Sequence, residues 1–491
     1  MADGTAVNAR IARTLPRVSL LAPPTRTVVV ATWLPLGVLL LALWPHWRWM
    51  AARMVDGSDE PWGGVALVTV LVLIAREQRR LLVPRRPALV ATAGLAIAAG
   101  LALAVVPPLV AAGVAMLALG ALLAHQLPRR SAAPLTTLLL LSLPLIATLQ
   151  FYVSFPLRVL TAQLAAPLLG VFGVAAQASG AALHWQGGTV LVDPPCAGIA
   201  MLWLGAYCMA LLSWLHDASA LRTFLNGCAA SGLVFGANVL RNVVLFFAES
   251  GHVHWPAWSH DAVGIAAFAL AMAPAIAIAR SDRSIAFAQS WARDRPRVVD
   301  TPSTCDALSG ASQLSFVGAC LLAAVVPALV RVLPVSTTGV RAISAAPALR
   351  PVEWPTHFRG RPLTQLAQTP LEGRFAARFP GGIARFTDGS QIVIARVVTA
   401  PTRLLHPAAD CFRAAGYSIT APRAAIDQGL AHWNCFEARK RDGERLRVCE
   451  RIEDDTGRAW TDVSSWYWSA LRGAGPWRAW TVVTPLARDA T

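Results

Sequence analysis

Long apolar runs alternate with short polar, arginine-bearing connections along the first two thirds of the chain. They fall near residues 28–45, 62–75, 87–106, 108–126, 134–153, 198–215, 223–248, 260–279 and 314–333. Runs of roughly 17 to 25 apolar residues are long enough to cross a hydrocarbon core as helices, so the pattern predicts about nine transmembrane spans, the second being short. Between the fifth and sixth runs, residues 156–180 are apolar but interrupted by Pro156, Pro167, Gly170 and Gly173. An interfacial or re-entrant helix suits that stretch better than a full crossing. "HWQGGTVLVD" follows, its Gly-Gly and β-branched residues reading as a short strand or hairpin arm that leads into Cys196.

Beyond about residue 335 the periodicity changes. "ARFTDGSQIVIA" (384–395) and "CFEARKRDGERLRVC" (435–449) each place Asp-Gly between strand-like arms, a strong hairpin signal. The fold class expected is an α-helical polytopic membrane protein carrying a small α+β, β-rich extracytoplasmic C-terminal domain. Four regions follow: an N-terminal transmembrane block at 1–153, a core at 154–280, a cytoplasmic loop and tethering span at 281–334, and the C-terminal domain at 335–491. No internal repeat is evident.

Composition agrees, with 55% hydrophobic and only 14% charged residues among 491. The net charge of +16 is placed for orientation rather than for nucleic acid, because arginines collect in alternate connections. Arg10, Arg13, Arg17 and Arg26 precede the first run; Arg76, Arg79, Arg80, Arg85 and Arg86 follow the second; Arg129 and Arg130 follow the fourth. Arg280, Arg283, Arg293, Arg295 and Arg297 follow the eighth, whereas Asp56, Asp59 and Glu60 offset the first connection. The N-terminus is therefore expected inside and the C-terminal domain outside. The first run lacks a small-x-small cleavage site and reads as a retained anchor.

Of eight cysteines, Cys208, Cys228 and Cys320 lie in runs, where packing accounts for them, and Cys305 falls in an inner loop. Cys411, Cys435 and Cys449 belong to the outer domain, an oxidising place if this is a bacterial periplasm. A two-residue Asp442-Gly443 loop would set Cys435 opposite Glu450 and put Cys435 and Cys449 on opposite faces. A direct bridge between them then needs a bulge. Either one pairing with Cys411 is the alternative, and the sequence does not choose.

Candidate chemistry gathers at the outer ends of three runs. Cys196 opens the sixth after Asp193, Pro194 and Pro195, at or near a helix N-terminus that favours a thiolate. Gly198 leaves room for an approaching backbone, and the N–H groups of Ala197 and Gly198 are candidate oxyanion donors. Arg241 lies inside the seventh run, about 10 Å from its outer end at helical rise. An intramembrane arginine costs at least ~2.5 kcal/mol on insertion scales and marks a function by default. Snorkelling, or support from Asn238 three residues earlier, is the structural alternative, with Asn242 a further orienting candidate. His260 begins the eighth run as a candidate proton carrier, with His252 and His254 as competitors. Asp261 diverges from His260 on a helix, which leaves Asp193 as the better partner for the imidazole.

These residues carry a resemblance. Residues 134–280 resemble the exosortase/archaeosortase family of multi-span transpeptidases, whose signature is a cysteine in C-S-G, an arginine after N-x-x and a histidine opening a later span. Here these are Cys196-Ala197-Gly198, Asn238-Val239-Leu240-Arg241, and His260 with Gly264 and Phe268 following. Ala197 stands where the family usually has serine, so a hydroxyl that would assist the site or cap the helix is lost. "HPAADCFRAAGY", with His406, Pro407, Cys411 and Gly416, resembles the H-P-x-x-C segment of an exosortase-associated domain first named for methanolan biosynthesis. His406 and Cys411 are candidates for a second catalytic or metal site, with a structural or disulfide role the commoner outcome. "WYWSAL" (466–471) is a candidate peptide or glycan platform, with a core strand the commoner explanation.

The resemblance implies an enzyme of the bacterial inner membrane that cleaves the C-terminal sorting signals of exported proteins: a short motif, a transmembrane helix and a basic tail, the PEP-CTERM arrangement linked to exopolysaccharide. Cys196 would attack the carbonyl, Arg241 would stabilise the oxyanion or thiolate, and His260 would move the proton, through a thioester acyl-enzyme. No metal or organic cofactor is implied; the partners implied are such exported proteins and membrane lipid, and no nucleic acid. A polytopic transporter or polysaccharide-export component, and a non-catalytic envelope scaffold, are the rival classes.

Overall fold

The computed structural model describes residues 26–55, 61–280 apart from 252–254 and 257, 310–332, and most of 353–487. Arg10, Arg13, Arg17, Arg283, Arg293, Arg295 and Arg297, the acidic residues Asp56, Asp59 and Glu60, and Cys305, His252 and His254 lie outside the described residues.

The apolar runs fold as helices α1 (Arg26–Ala42), α2 (Trp44–Val55), α3 (Trp62–Glu77), α4 (Arg86–Val105), α5 (Pro108–Gln126), α6 (Ala133–Leu141) and α7 (Ile146–Tyr152). Then come α8 (Ser154–Val171), α9 (Ile199–Leu215), α10 (Ala220–Glu249), α11 (Ser259–Arg280) and α12 (Gly310–Val332). Among the described residues six helices are long and apolar enough to span a membrane, rising to eight if each of two bent pairs is one span, against the nine expected. The first run breaks between α1 and α2 with a 62° bend, and the fifth breaks between α6 and α7 with an 80° bend. Pro144 lies in the second break, where a residue without an N–H and with a ring against the preceding turn ends a helix. The second run forms only the 16-residue α3, and in the ninth the apolar stretch covers Ser312–Val325.

Close approach of helices explains several glycines. A Cβ on Gly63 would fall 2.5 Å from the Ser142 carbonyl oxygen, and one on Gly100 would fall 2.6 Å from that of Ala323. Small residues let helix backbones touch where lipid supplies no hydrophobic drive. One end of the bundle gathers the polar residues of the arginine-rich connections: Arg129 pairs with Glu77 and donates to the Trp214 carbonyl at 3.2 Å, while the Arg130 amide donates to Asp217 at 3.0 Å.

The 156–180 stretch keeps a single helix, α8, to Val171: Pro156 falls in its first turn, and Pro167 is accommodated inside it. At 18 residues it too is long enough to cross. A three-stranded antiparallel meander follows, β1 (Gln177–Ser179), β2 (Ala182–Trp185) and β3 (Gly188–Leu191), so the strand expected before Cys196 is there as the edge strand β3, paired with β2.

The C-terminal region is β-rich, as expected. Its nine-stranded antiparallel sheet runs β10 (Arg423–Ile426), β11 (His432–Arg439), β12 (Arg445–Asp454), β14 (Trp477–Pro485), β8 (Ile392–Val398), β7 (Gly381–Thr387) and β6 (Thr364–Leu366). Strand β9 (Ser418–Ile419) joins β11 and β13 (Ala459–Trp460) joins β12, while β4 (His357–Phe358) and β5 (Arg361–Pro362) form a separate pair. Two short helices, α13 (Ala408–Ala414) and α14 (Val463–Ala470), accompany the sheet.

Both Asp-Gly hairpins form. In the second, Cys435 pairs with Cys449 rather than Glu450, and the two are disulfide-bonded. The loop is one residue longer than the two-residue turn expected: the Lys440 amide donates to the Glu444 carbonyl at 2.9 Å, and Gly443 takes a positive φ of 85°. A three-residue loop closed by a left-handed glycine shifts the register by one, which brings the thiols face to face. Cys411 remains a free thiol.

"WYWSAL" is not a strand but most of α14. Asp462 caps it, its carboxylate accepting from the Ser465 amide at 2.9 Å, and Val463, Trp466 and Ala470 are buried at helical spacing. Trp466 is fully buried, so the stretch is a core element rather than an open platform.

Candidate active site

Asp193, Pro194 and Pro195 shape the approach to the thiol. The two prolines begin a 3₁₀ turn, Pro194–Ala197, and the Cys196 amide donates back to the Asp193 carbonyl at 2.8 Å. Gly198 then takes a left-handed φ of 77° before α9 begins. A side chain there would be strained by its backbone alone. It would also collide, since a Cβ on Gly198 falls 2.8 Å from the Asn238 side chain. Cys196 therefore precedes the first turn of α9 rather than occupying it. Its thiol is buried in an apolar cluster of Ala162, Ala165 and Leu169 from α8, Leu183 from the meander, and Val239, Val243 and Phe246 from α10.

The asparagines serve the cysteine. Asn238 Nδ2 donates to the Cys196 carbonyl at 3.0 Å; Asn242 Nδ2 donates to the same oxygen at 3.3 Å and to the Asn238 carbonyl at 2.8 Å. Neither amide bonds the Arg241 guanidinium, the arrangement expected from sequence. Residues four apart share a helix face, whereas Arg241 is rotated roughly 60° from Asn238 and faces α11. There Gly264 makes the space: its hypothetical Cβ lies 3.4 Å from Arg241 Nε. Arg241 Nε and Asn238 Oδ1 are both buried without a hydrogen-bond partner among the described residues, a donor and an acceptor left over at the cysteine.

His260 lies in the first turn of α11, one turn before Gly264 and so on the face that meets Arg241. Val263 from the same turn packs on the Cys196 cluster. No hydrogen bond joins His260 to the thiol or to Asp193 among the described residues. Asp193 instead lies in the field of Arg158 and Asp462. Ala197, fully buried, packs with Ala66, Ile146, Ile199 and Trp203, so its side chain faces the bundle interior and a hydroxyl there would enter an apolar cluster.

Two charged residues that sequence reasoning passed over belong here. The Cys196 thiol lies in the field of Arg241 first, then of Glu249, Asp193 and Arg158. Glu249 closes α10, and an acidic residue at the C-terminal end of the arginine-bearing run was a readable signal. Arg158, a lone cation in the apolar 156–180 stretch, was another. Its guanidinium donates to the Val192 carbonyl at 3.3 Å and to Asp462 at 2.8 Å. The C-terminal domain thus seats directly beside the cysteine turn. The Phe155 amide donates to Ser464 Oγ at 3.1 Å and Trp468 Nε1 to the Tyr152 carbonyl at 2.8 Å.

In the C-terminal domain, His406 Nε2 and Cys411 Sγ are 2.9 Å apart. Among the described residues no group of three or more His, Cys, Asp or Glu is arranged to hold a metal, so the pair has no third ligand.

The fold and these groups define an integral membrane protein with a buried thiol, a guanidinium and an imidazole carried at one end of its helical core. Residues 38–277 match the family model described as Transmembrane exosortase (Exosortase_EpsH). That match takes in the helical core with Cys196, Arg241 and His260 and stops short of α12 and the sheet. No curated protein and no solved structure matched the chain.

Proposed function

We propose that this protein is a cysteine transpeptidase or protease of the membrane, cleaving the C-terminal sorting signals of exported proteins at the outer face of a bacterial inner membrane. The exosortase match supports the class. The observation that carries the residue roles is the cysteine turn itself: two amide side chains of α10 hold the Cys196 carbonyl, while Arg241 on the same helix keeps an unused Nε donor. A donor with no partner in the resting site is free for charge that develops on a substrate carbonyl. Cys196 attacks that carbonyl, Arg241 receives the oxyanion, and His260, carried alongside on α11, takes the thiol proton and returns it to the leaving amine. The resulting thioester passes to an acceptor amine or to water. Confinement of enzyme and substrate to one bilayer supplies much of the proximity. Asp193, Arg158 and Glu249 set the charge around the turn.

Co-expression with a tagged exported protein bearing a motif, an apolar helix and an arginine cluster at its C-terminus tests this reading. Cys196→Ala is expected to abolish processing while the enzyme still inserts; unchanged processing by that variant would overturn it, and a transport flux that survives the substitution would favour a transporter. Deleting residues 335–491 separates the scaffold reading, which requires the outer domain alone.

A further inference from the structure

The outer domain carries a second thiol whose surroundings are those of a nucleophile rather than of a packed cysteine. Cys411 is exposed and free, the nearby disulfide having been taken by Cys435 and Cys449. His406 Nδ1 lies 2.9 Å from the Leu404 carbonyl, and its Nε2 lies 2.9 Å from Cys411 Sγ. A carbonyl oxygen only accepts, so Nδ1 carries the ring proton and Nε2 presents a lone pair to the thiol. Phe375 stands edge-on to the imidazole at 5.7 Å and fixes its plane. His406 also lines a small cleft with Arg396, Glu450, Trp460, Asp462 and Thr481. Arg396 is held by Thr481 at 2.9 Å, while Glu450 accepts from the Ala408 amide at 2.8 Å and from Asn434 at 3.2 Å. A guanidinium and an oriented base therefore border one opening, and the thiol is hydrogen-bonded to that base.

We propose that Cys411 and His406 form a second thiol site, a nucleophile and general-base pair that accepts an acyl group from an activated carbonyl compound, either directly or handed on from Cys196. Sγ bonds to the carbonyl carbon as the bond to the leaving group breaks, and the thiol proton moves to His406 Nε2 and then to the departing alcohol, thiol or amine. The charges are balanced and no oxidant or reductant enters. Charged groups facing the pair come from four elements: Arg396 on β8, Glu450 on β12, Asp410 on α13 and Arg53 on α2, with Arg403 in the segment before His406. Burial, with Arg396 and Arg403 nearby, holds the imidazole below its usual range. Although Cys411 is exposed as a residue, desolvation of its sulfur beside the imidazole pushes the thiol up, against the pull of Arg396. At neutral pH both members are uncharged, and the base acts on demand.

The test treats the full chain in detergent with p-nitrophenyl acetate and maps S-acetylation by mass spectrometry of the peptide containing Cys411. Acetylation is expected in the wild type, absent in Cys411→Ser and at least tenfold slower in His406→Gln at pH 7. The wild-type rate should reach its plateau below about pH 6.5, where a lowered imidazole is already neutral, while His406→Gln should rise only as the thiol itself ionises, above about pH 8. Label that persists in Cys196→Ala marks direct capture, and label lost in that variant marks transfer from Cys196; the site stands in either case. Cys411 left unlabelled in both, or labelled at equal rate in His406→Gln, overturns it. Retention of the Cys435–Cys449 disulfide checks folding, and should His406→Gln fail that check, a wild-type rate rising only above about pH 8 overturns the proposal by itself.

Discussion

At the scale of single residues, Gly198 sets the geometry of the cysteine turn and Arg241 supplies an unused donor near it. Gly198→Ala places a side chain in a left-handed conformation, at a cost of about 1–2 kcal/mol, and drives it into Asn238, which holds the Cys196 carbonyl. Displacement of a nucleophile by about 1 Å can cost roughly 10²-fold. Processing by Gly198→Ala is therefore expected to fall by about that factor with membrane insertion unchanged, read as the ratio of cleaved to intact substrate at equal enzyme. Arg241→Lys keeps the charge but removes the Nε donor, and should slow processing on the order of 10²-fold; a rate near wild type would assign Arg241 to packing. Cys196 and His260 drew attention as polar residues at the mouths of apolar runs and Arg241 as a cation inside one, and the fold carries all three at one end of the helical core. The work of Asn238 and Asn242 was not legible, since their partner is a backbone carbonyl 42 and 46 residues away and only a folded turn shows where it points. Ala197 reads differently in three dimensions too: its methyl faces Trp203 and Ala66, away from any role that a hydroxyl beside the thiol could take.

At the scale of elements, α14 and its cap join the two halves. Asp462 caps α14 and pairs with Arg158, whose side chain is 5% exposed against 15% for the aspartate. Asn is as good a cap as Asp, so Asp462→Asn isolates the ion pair: it leaves α14 intact and the buried Arg158 without its paired carboxylate. Such a loss costs up to about 3–5 kcal/mol. The variant should melt at lower temperature and expose the C-terminal domain to limited proteolysis, whereas Asp462→Ala should lose about a further 1 kcal/mol with the cap. Periodicity misread this helix because aromatic residues also favour strands, yet Asp462 followed three residues later by Ser465, with Val463, Trp466 and Ala470 on one face, is a helical pattern. The hairpins were legible from Asp-Gly, but not their register, because one extra loop residue decides which side chains oppose.

At the scale of the whole molecule, the helical class and the β-rich C-terminal domain follow from hydropathy and turn residues, whereas which runs break does not, since a bent pair and a straight helix have the same composition. Protonation couples to the stability of the C-terminal domain through Glu450. Burial lifts its carboxyl to about 7 from 4.5. The folded state holds that proton longer than the unfolded chain, so the contribution is full below about pH 4.5 and shrinks as pH rises to about 7, by at most about 3 kcal/mol. His406, lowered instead, acts with the opposite sign, its contribution being lost as pH falls below about 6.5. Thermal melts at pH 5 and pH 8 should show Glu450→Gln gaining on the wild type at the higher pH, and parallel curves would exclude the coupling. Losing the Cys435–Cys449 bridge, which closes a loop of 14 residues, should cost about 3 kcal/mol on the same melts. The seat of the C-terminal domain on Tyr152, Phe155 and Arg158 has a consequence for how the chain can be divided. A protease site inserted between residues 333 and 352 should yield two fragments that copurify after cutting, because what keeps them together is the docked face and not the covalent tether.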